Sequence, residues 1–115
     1  MNPARPAPGA ILIALADLGD PEARAIDFRA GEALFSVIVA RHGDIVRAYD
    51  NVCPHAYSPM ERPDGRVVID AGAFLVCSAH GASFRIGDGA CVGGPANGPL
   101  TPFPVVVRDG VVFAA

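Results

Sequence analysis

The sequence predicts an all-β domain, built from short antiparallel strands and carrying two metal-binding hairpins at one tip. Three observations lead there. The 115 residues include 13 glycines and 11 prolines, a density of turn formers that favours short strands over long helices. The apolar residues fall into brief, β-branched runs separated by turn dipeptides. Two of the connecting loops each carry one cysteine and one histidine.

Composition sets the outer limits. The chain is 51% apolar and 18% charged, so it is globular, and its length suits one domain with a core of its own. A formal net charge of −3 leaves no basic face for nucleic acid. Three cysteines, two of them in the paired loops, do not make a disulfide framework, and a site needing reduced thiols fits the cytoplasm. The apolar run 10–16 ends in an A-x-A, but its flank holds a single arginine and three prolines. It reads as a first strand instead of a signal peptide, and it is far too short to span a bilayer.

Taken in order, residues 1–9 are proline-rich and are expected to form a loose arm. A strand follows over 11–16, then a turn at Gly19, Asp20 and Pro21. Residues 23–28 alternate weakly, with Ile26 and Phe28 pointing inward, and Ala30, Gly31 and Glu32 make the next turn. The run 34–40 leads through a tight hairpin at 41–44 into 45–49, a meander delivering the chain to Asn51. Residues 67–69 and 74–76 flank another turn, 83–86 returns as a strand, and 93–99 form a proline loop. Asp109-Gly110, between 105–108 and 111–113, is a dipeptide favoured at type I′ hairpins.

The chemistry lies in Cys53 and His55, and in Cys77 and His80, in the pattern C-x-H-x21-C-x2-H. Thiolates and neutral imidazoles are soft to borderline ligands, suited to zinc, copper or iron–sulfur centres. A structural zinc site more often opens with two cysteines and closes with two histidines. Here both loops carry a mixed pair, which suits two irons reached from both sides. A zinc module remains the alternative on residues alone.

At this point the sequence resembles the Rieske [2Fe–2S] family, in which two histidines replace two cysteines on one iron. The second loop, C-S-A-H-G-A-S-F, is close to that family's C-x-x-H-G-x-x-F, and Gly94-Pro95-Ala96 with Pro99-Leu100 resembles its proline loop. The resemblance runs from about residue 11 to the C-terminus. It implies stacked antiparallel sheets with a small inserted cluster-binding subdomain: a base of about 10–51 and 100–115, and an insertion of about 52–99. It also implies one [2Fe–2S] cluster, with Cys53 and Cys77 on the sheltered iron and His55 and His80 on the outer one. Gly81, Ala82, Ser83 and Pro95 would surround it.

High-potential members of the family place a serine and a tyrosine where this chain has Ala82 and Phe84. They also pin the ligand loops with a disulfide at the positions of Ser58 and Ala79. Hydrogen bonds to cluster and ligand sulfurs stabilise the reduced state, so a low potential is expected here. The free nitrogens of the two histidines would couple electron to proton, lowering the potential as pH rises.

The resemblance therefore implies a soluble, monomeric ferredoxin carrying single electrons between a reductase and an oxygenase or other acceptor, with no catalytic residues and no membrane partner. The alternative is a permanently bound small subunit of a larger oxidoreductase, of the nitrite reductase kind. Other residues have plainer readings. Cys91 is expected to be a small packed residue and His42 a solvated one. Tyr57 and Met60 would form an apolar rim or pack on the base, while Ser78 and Ser83 would donate to sulfur or cap a turn.

Overall fold

The computed structural model describes residues 2–54, 58–79, 81–94 and 98–115. Among these, ten strands form three antiparallel sheets. The middle sheet is a meander of β2 (Glu22–Ala30), β3 (Ala33–His42) and β4 (Ile45–Asp50). Its long ladder runs from Glu22 opposite Arg41 to Ala30 opposite Ala33, so Gly31 and Glu32 make the turn.

Val37, Ile38, Val39 and Ala40 of β3 are all fully buried. Because successive side chains point to opposite faces, Val37 and Val39 enter one core while Ile38 and Ala40 enter another. A strand covered on both faces reads as a continuous apolar run without alternation, which is the pattern here.

On the first face lies the sheet of β1 (Ile11–Ala14), β10 (Val111–Ala114) and β9 (Val105–Arg108), in the order β1-β10-β9. Arg108 pairs with Val111, and both turn residues between them take positive φ, 51° at Asp109 and 74° at Gly110. That is the type I′ geometry the dipeptide predicts. Leu12, Leu18, Phe103 and Val112 fill the core beneath.

On the second face lies a sheet of four three-residue strands: β5 (Val68–Asp70), β6 (Phe74–Val76), β7 (Ser83–Arg85) and β8 (Cys91–Gly93). Leu75, Phe84 and Ile86 meet Ile38 and Tyr49 there. The Tyr49 hydroxyl donates to the Ile86 carbonyl at 2.6 Å, tying the middle sheet to the small one. Both edges of the middle sheet are covered, as exposed strand edges require. Val67 N–H donates to Ala23 O alongside β2, and Phe103 N–H donates to Ala48 O alongside β4.

Four expectations change. The strand expected over 11–16 stops at Ala14 and continues as a 3-10 turn, Leu15–Asp17. It leaves the meander to pair with β10, because Leu12 is buried against Val112 and its neighbours. The strand β8 lies where the sequence suggests only a connection. The arm expected to be loose is fastened. Asn2 Nδ2 donates to Leu34 O, Gly9 N–H donates to Ala114 O, and the Arg5 guanidinium stacks over Phe35 and Phe103.

Candidate metal centre

The first loop begins where β4 ends. Cys53 N–H donates to Ser58 O at 2.8 Å and closes the loop on itself. Asn51, just ahead of it, is buried; its Oδ1 accepts from Met60 N–H at 2.9 Å, and its Nδ2 donates to Ser36 Oγ and Glu61 Oε1. The second loop joins β6 to β7, whose last and first residues, Val76 and Ser83, are paired. Within it Cys77 N–H donates to Ala82 O at 2.8 Å and Gly81 N–H to Cys77 O at 3.0 Å. Gly81 takes φ 77°, which lets the chain turn back so tightly.

The two loops are stitched together. Ser78 N–H donates to Met60 O at 3.3 Å, and Ser78 Oγ donates to Glu61 O at 3.1 Å. The segment entering the proline loop backs onto the second loop so closely that a Cβ on Gly94 would stand 2.6 Å from Ala82 Cα. Three loop segments therefore converge at one end of the small sheet.

Cys53 and Cys77 lie in that convergence, each 1% exposed and in the same core as Met60, Ala82 and Phe84. All three cysteines are thiols and not disulfides. His55 and His80, together with Tyr57 and Pro95, lie outside the described residues. Among the described residues no group of three metal-ligating side chains assembles, since two of the four expected donors are not among them. The donor set that is described fits an iron–sulfur group: two soft thiols, one per loop, shielded from water in a shared core. Ser58 adds to the fit, because its hydroxyl is buried in the first loop with no hydrogen-bond partner among the described residues.

The remaining expectations resolve plainly. Met60 is fully buried and belongs to the core, not to a surface rim. Both serine hydroxyls satisfy backbone carbonyls, Ser78 at Glu61 and Ser83 at Gly81. Cys91 packs half-buried against the core, and His42 is exposed at the end of β3, in the turn the sequence assigns it. The residue that sequence reasoning passed over is Asn51. The available signal was a lone amide between an apolar strand and the first Cys/His loop.

The Rieske [2Fe-2S] domain family matches residues 13–104. The chain belongs to that family. The 3-phenylpropionate/cinnamic acid dioxygenase ferredoxin subunit of Escherichia coli (strain K12) is 32% identical over 99 residues, covering 86% of this chain and 85% of that protein. Its counterpart in Photorhabdus laumondii is 30% identical over 97 residues, covering 84% of each. A chain from the complex of reduced oxygenase and oxidised ferredoxin in carbazole 1,9a-dioxygenase superposes with a TM-score of 0.74. It is 28% identical and covers 91% of this chain and 99% of that one.

This Rieske domain thus takes one [2Fe–2S] cluster and serves as a ferredoxin-type electron carrier, not as a catalytic component. The zinc alternative falls with that match. No helix of the described residues is long and apolar enough to cross a membrane.

Proposed function

We propose that Cys53 and Cys77 hold the sheltered iron and His55 and His80 the outer one, and that the protein passes single electrons from a reductase to a terminal oxygenase. Within this reading it works as a monomer in the cytoplasm. The base is about 10–51 and 100–115, and the cluster-binding insertion about 52–99. The observation that carries the proposal is the pair of buried thiols, one on each of two loops that are cross-linked through Met60 and Ser78. The dioxygenase ferredoxin subunits among the relatives, and the complex of a similar ferredoxin with its oxygenase, support the choice of partner.

When bound, the cluster supplies a one-electron couple. The chain's own residues set its surroundings. Burial of both cysteines keeps water from their sulfurs. Ala82 and Phe84, both fully buried, bring no hydroxyl to the second loop, and Ser78 and Ser83 spend theirs on carbonyls. Ser58 retains the one buried hydroxyl without a partner among the described residues. With so few donors the reduced state gains little, placing the potential near the lower end of the roughly −150 to +300 mV known for such centres.

Iron and acid-labile sulfide analysis, with an EPR spectrum of the reduced protein, tests the ligand set. Equal iron and sulfide with a mixed His/Cys signature is expected, and an all-cysteine signature overturns it. A redox titration placing the midpoint above about +100 mV overturns the low-potential reading. Sedimentation of the purified holoprotein, alone and with oxygenase, separates a free carrier from a permanent subunit.

A further inference from the structure

Asn51 is the one buried polar or charged residue among those described, 5% exposed. A buried amide persists where its hydrogen bonds are made, and this one makes three. Oδ1 accepts the Met60 N–H at 2.9 Å; Nδ2 donates to Ser36 Oγ at 3.0 Å and to Glu61 Oε1 at 2.7 Å. Its backbone N–H also donates to Ser36 O, anchoring it on β3. The amide therefore holds the far end of the first ligand loop, Met60 and Glu61, against the middle sheet. Those same two residues offer the carbonyls that take Ser78 N–H and Oγ, directly beside Cys77.

We propose that Asn51 is a positioning residue for the cluster: its carboxamide sets the separation of the two ligand loops, and so the spacing of Cys53 and Cys77. The proposal rests on those cysteines being ligands. The site demands a side chain that accepts at one atom and donates at the other. Asparagine does both. Aspartate would keep the acceptor for Met60 N–H but lose the donor, setting a carboxylate against that of Glu61. Leucine would leave the Met60 N–H buried without a partner, a costly omission.

The test uses the holoprotein and three readouts: decay of the cluster's visible absorbance at fixed temperature, the EPR spectrum of the reduced form, and the midpoint potential. Asn51→Asp is expected to lose the cluster about tenfold faster, in line with loss of a charge-assisted bond, and to shift both potential and EPR lines. Adding Glu61→Gln to Asn51→Asp restores a donor opposite the new carboxylate. It should bring the half-life back to within about twofold of the unsubstituted protein. A residue that merely stabilised the fold would move the unfolding temperature and leave EPR and potential alone.

Should Asn51→Asp fail to accumulate, Glu61→Ala removes one acceptor and keeps the Met60 clamp. About threefold faster loss is then expected, and an unchanged half-life overturns the proposal. Unaltered decay and potential in Asn51→Asp, or no rescue by Glu61→Gln, overturns it as well. If the unsubstituted protein holds no iron and sulfide, the ligand assignment has failed instead.

Discussion

The two cores of this molecule are held by different means. Between the middle sheet and the β1-β10-β9 sheet, the packing is apolar throughout, and the nine-pair ladder of β2 and β3 gives the middle sheet its length. Between the middle sheet and the small sheet, the strands are three residues long, and the core includes two cysteines and lies beside a buried asparagine. Four strands of three residues form few ladder bonds. Their order depends on burial of Leu75, Phe84 and Ile86 and on the Tyr49 and Asn51 side chains. Hydrophobic burial dominates the first core, whereas the second also relies on the hydrogen bonds of the Tyr49 hydroxyl and the Asn51 amide.

The strongest way to break that contrast is Cys77→Ser. Near-total loss of iron and sulfide is expected, because a hydroxyl is a poor replacement for a thiolate. Hydrogen exchange should then show lost protection in β5 to β8, with β2, β3 and β10 still protected. Equal loss in both regions would mean the two cores are not separable.

A matched pair of cavities sharpens the comparison. Phe84→Ala in the cluster-side core and Leu12→Ala in the other should cost about 3–5 and 2–5 kcal/mol by denaturant unfolding. Only Phe84→Ala should also hasten cluster loss and shift the midpoint potential. Gly94→Ala comes next. Its φ of 80° disfavours a side chain and the new Cβ would press on Ala82 Cα, so about 2 kcal/mol of destabilisation is expected by thermal unfolding. Faster absorbance decay should accompany it as the third segment is pushed off the second loop.

The smallest effect concerns pH. Burial raises the Asp50 carboxyl above its ordinary value of 3.8, with the Arg5 guanidinium, 3.7 Å away, pulling the other way. A raised carboxyl means the folded state binds more protons than the unfolded one. Its contribution is therefore greatest at low pH, falls as pH rises from about 3.8 through the folded value, and stays lower above it. Arg5→Ala widens that window upward, and Asp50→Asn abolishes it, both measurable as unfolding midpoints across pH. The exposed Asp88 shifts the opposite way, held down by hydrogen bonds from Arg85 and Ala90 N–H.

Much of this was legible in the chain. Asp109-Gly110 specified its hairpin because few residue pairs accept two positive φ angles. The paired Cys and His loops narrowed the chemistry to soft-metal centres, and their resemblance to the Rieske family pointed to the [2Fe–2S] cluster that the family match supports. Strand β8 was not legible: Cys91, Val92 and Gly93 are too few to show a period, and they are strand only because β7 pairs with them. Residues 2–9 read as a loose arm because prolines carry no pattern. Their order comes from Arg5 finding two phenylalanines from distant parts of the chain.

The sequence by itself determined the all-β class and the hairpin turns, because turn geometry is decided by neighbouring residues, and its resemblance to the Rieske family gave the cluster type. Tertiary structure alone decided that β1 closes against β10, that Met60 is core, and that one asparagine amide bridges the first Cys/His loop to β3. Those are contacts between residues far apart in the chain. Their free energy appears only when folding brings the partners together and removes the water between them.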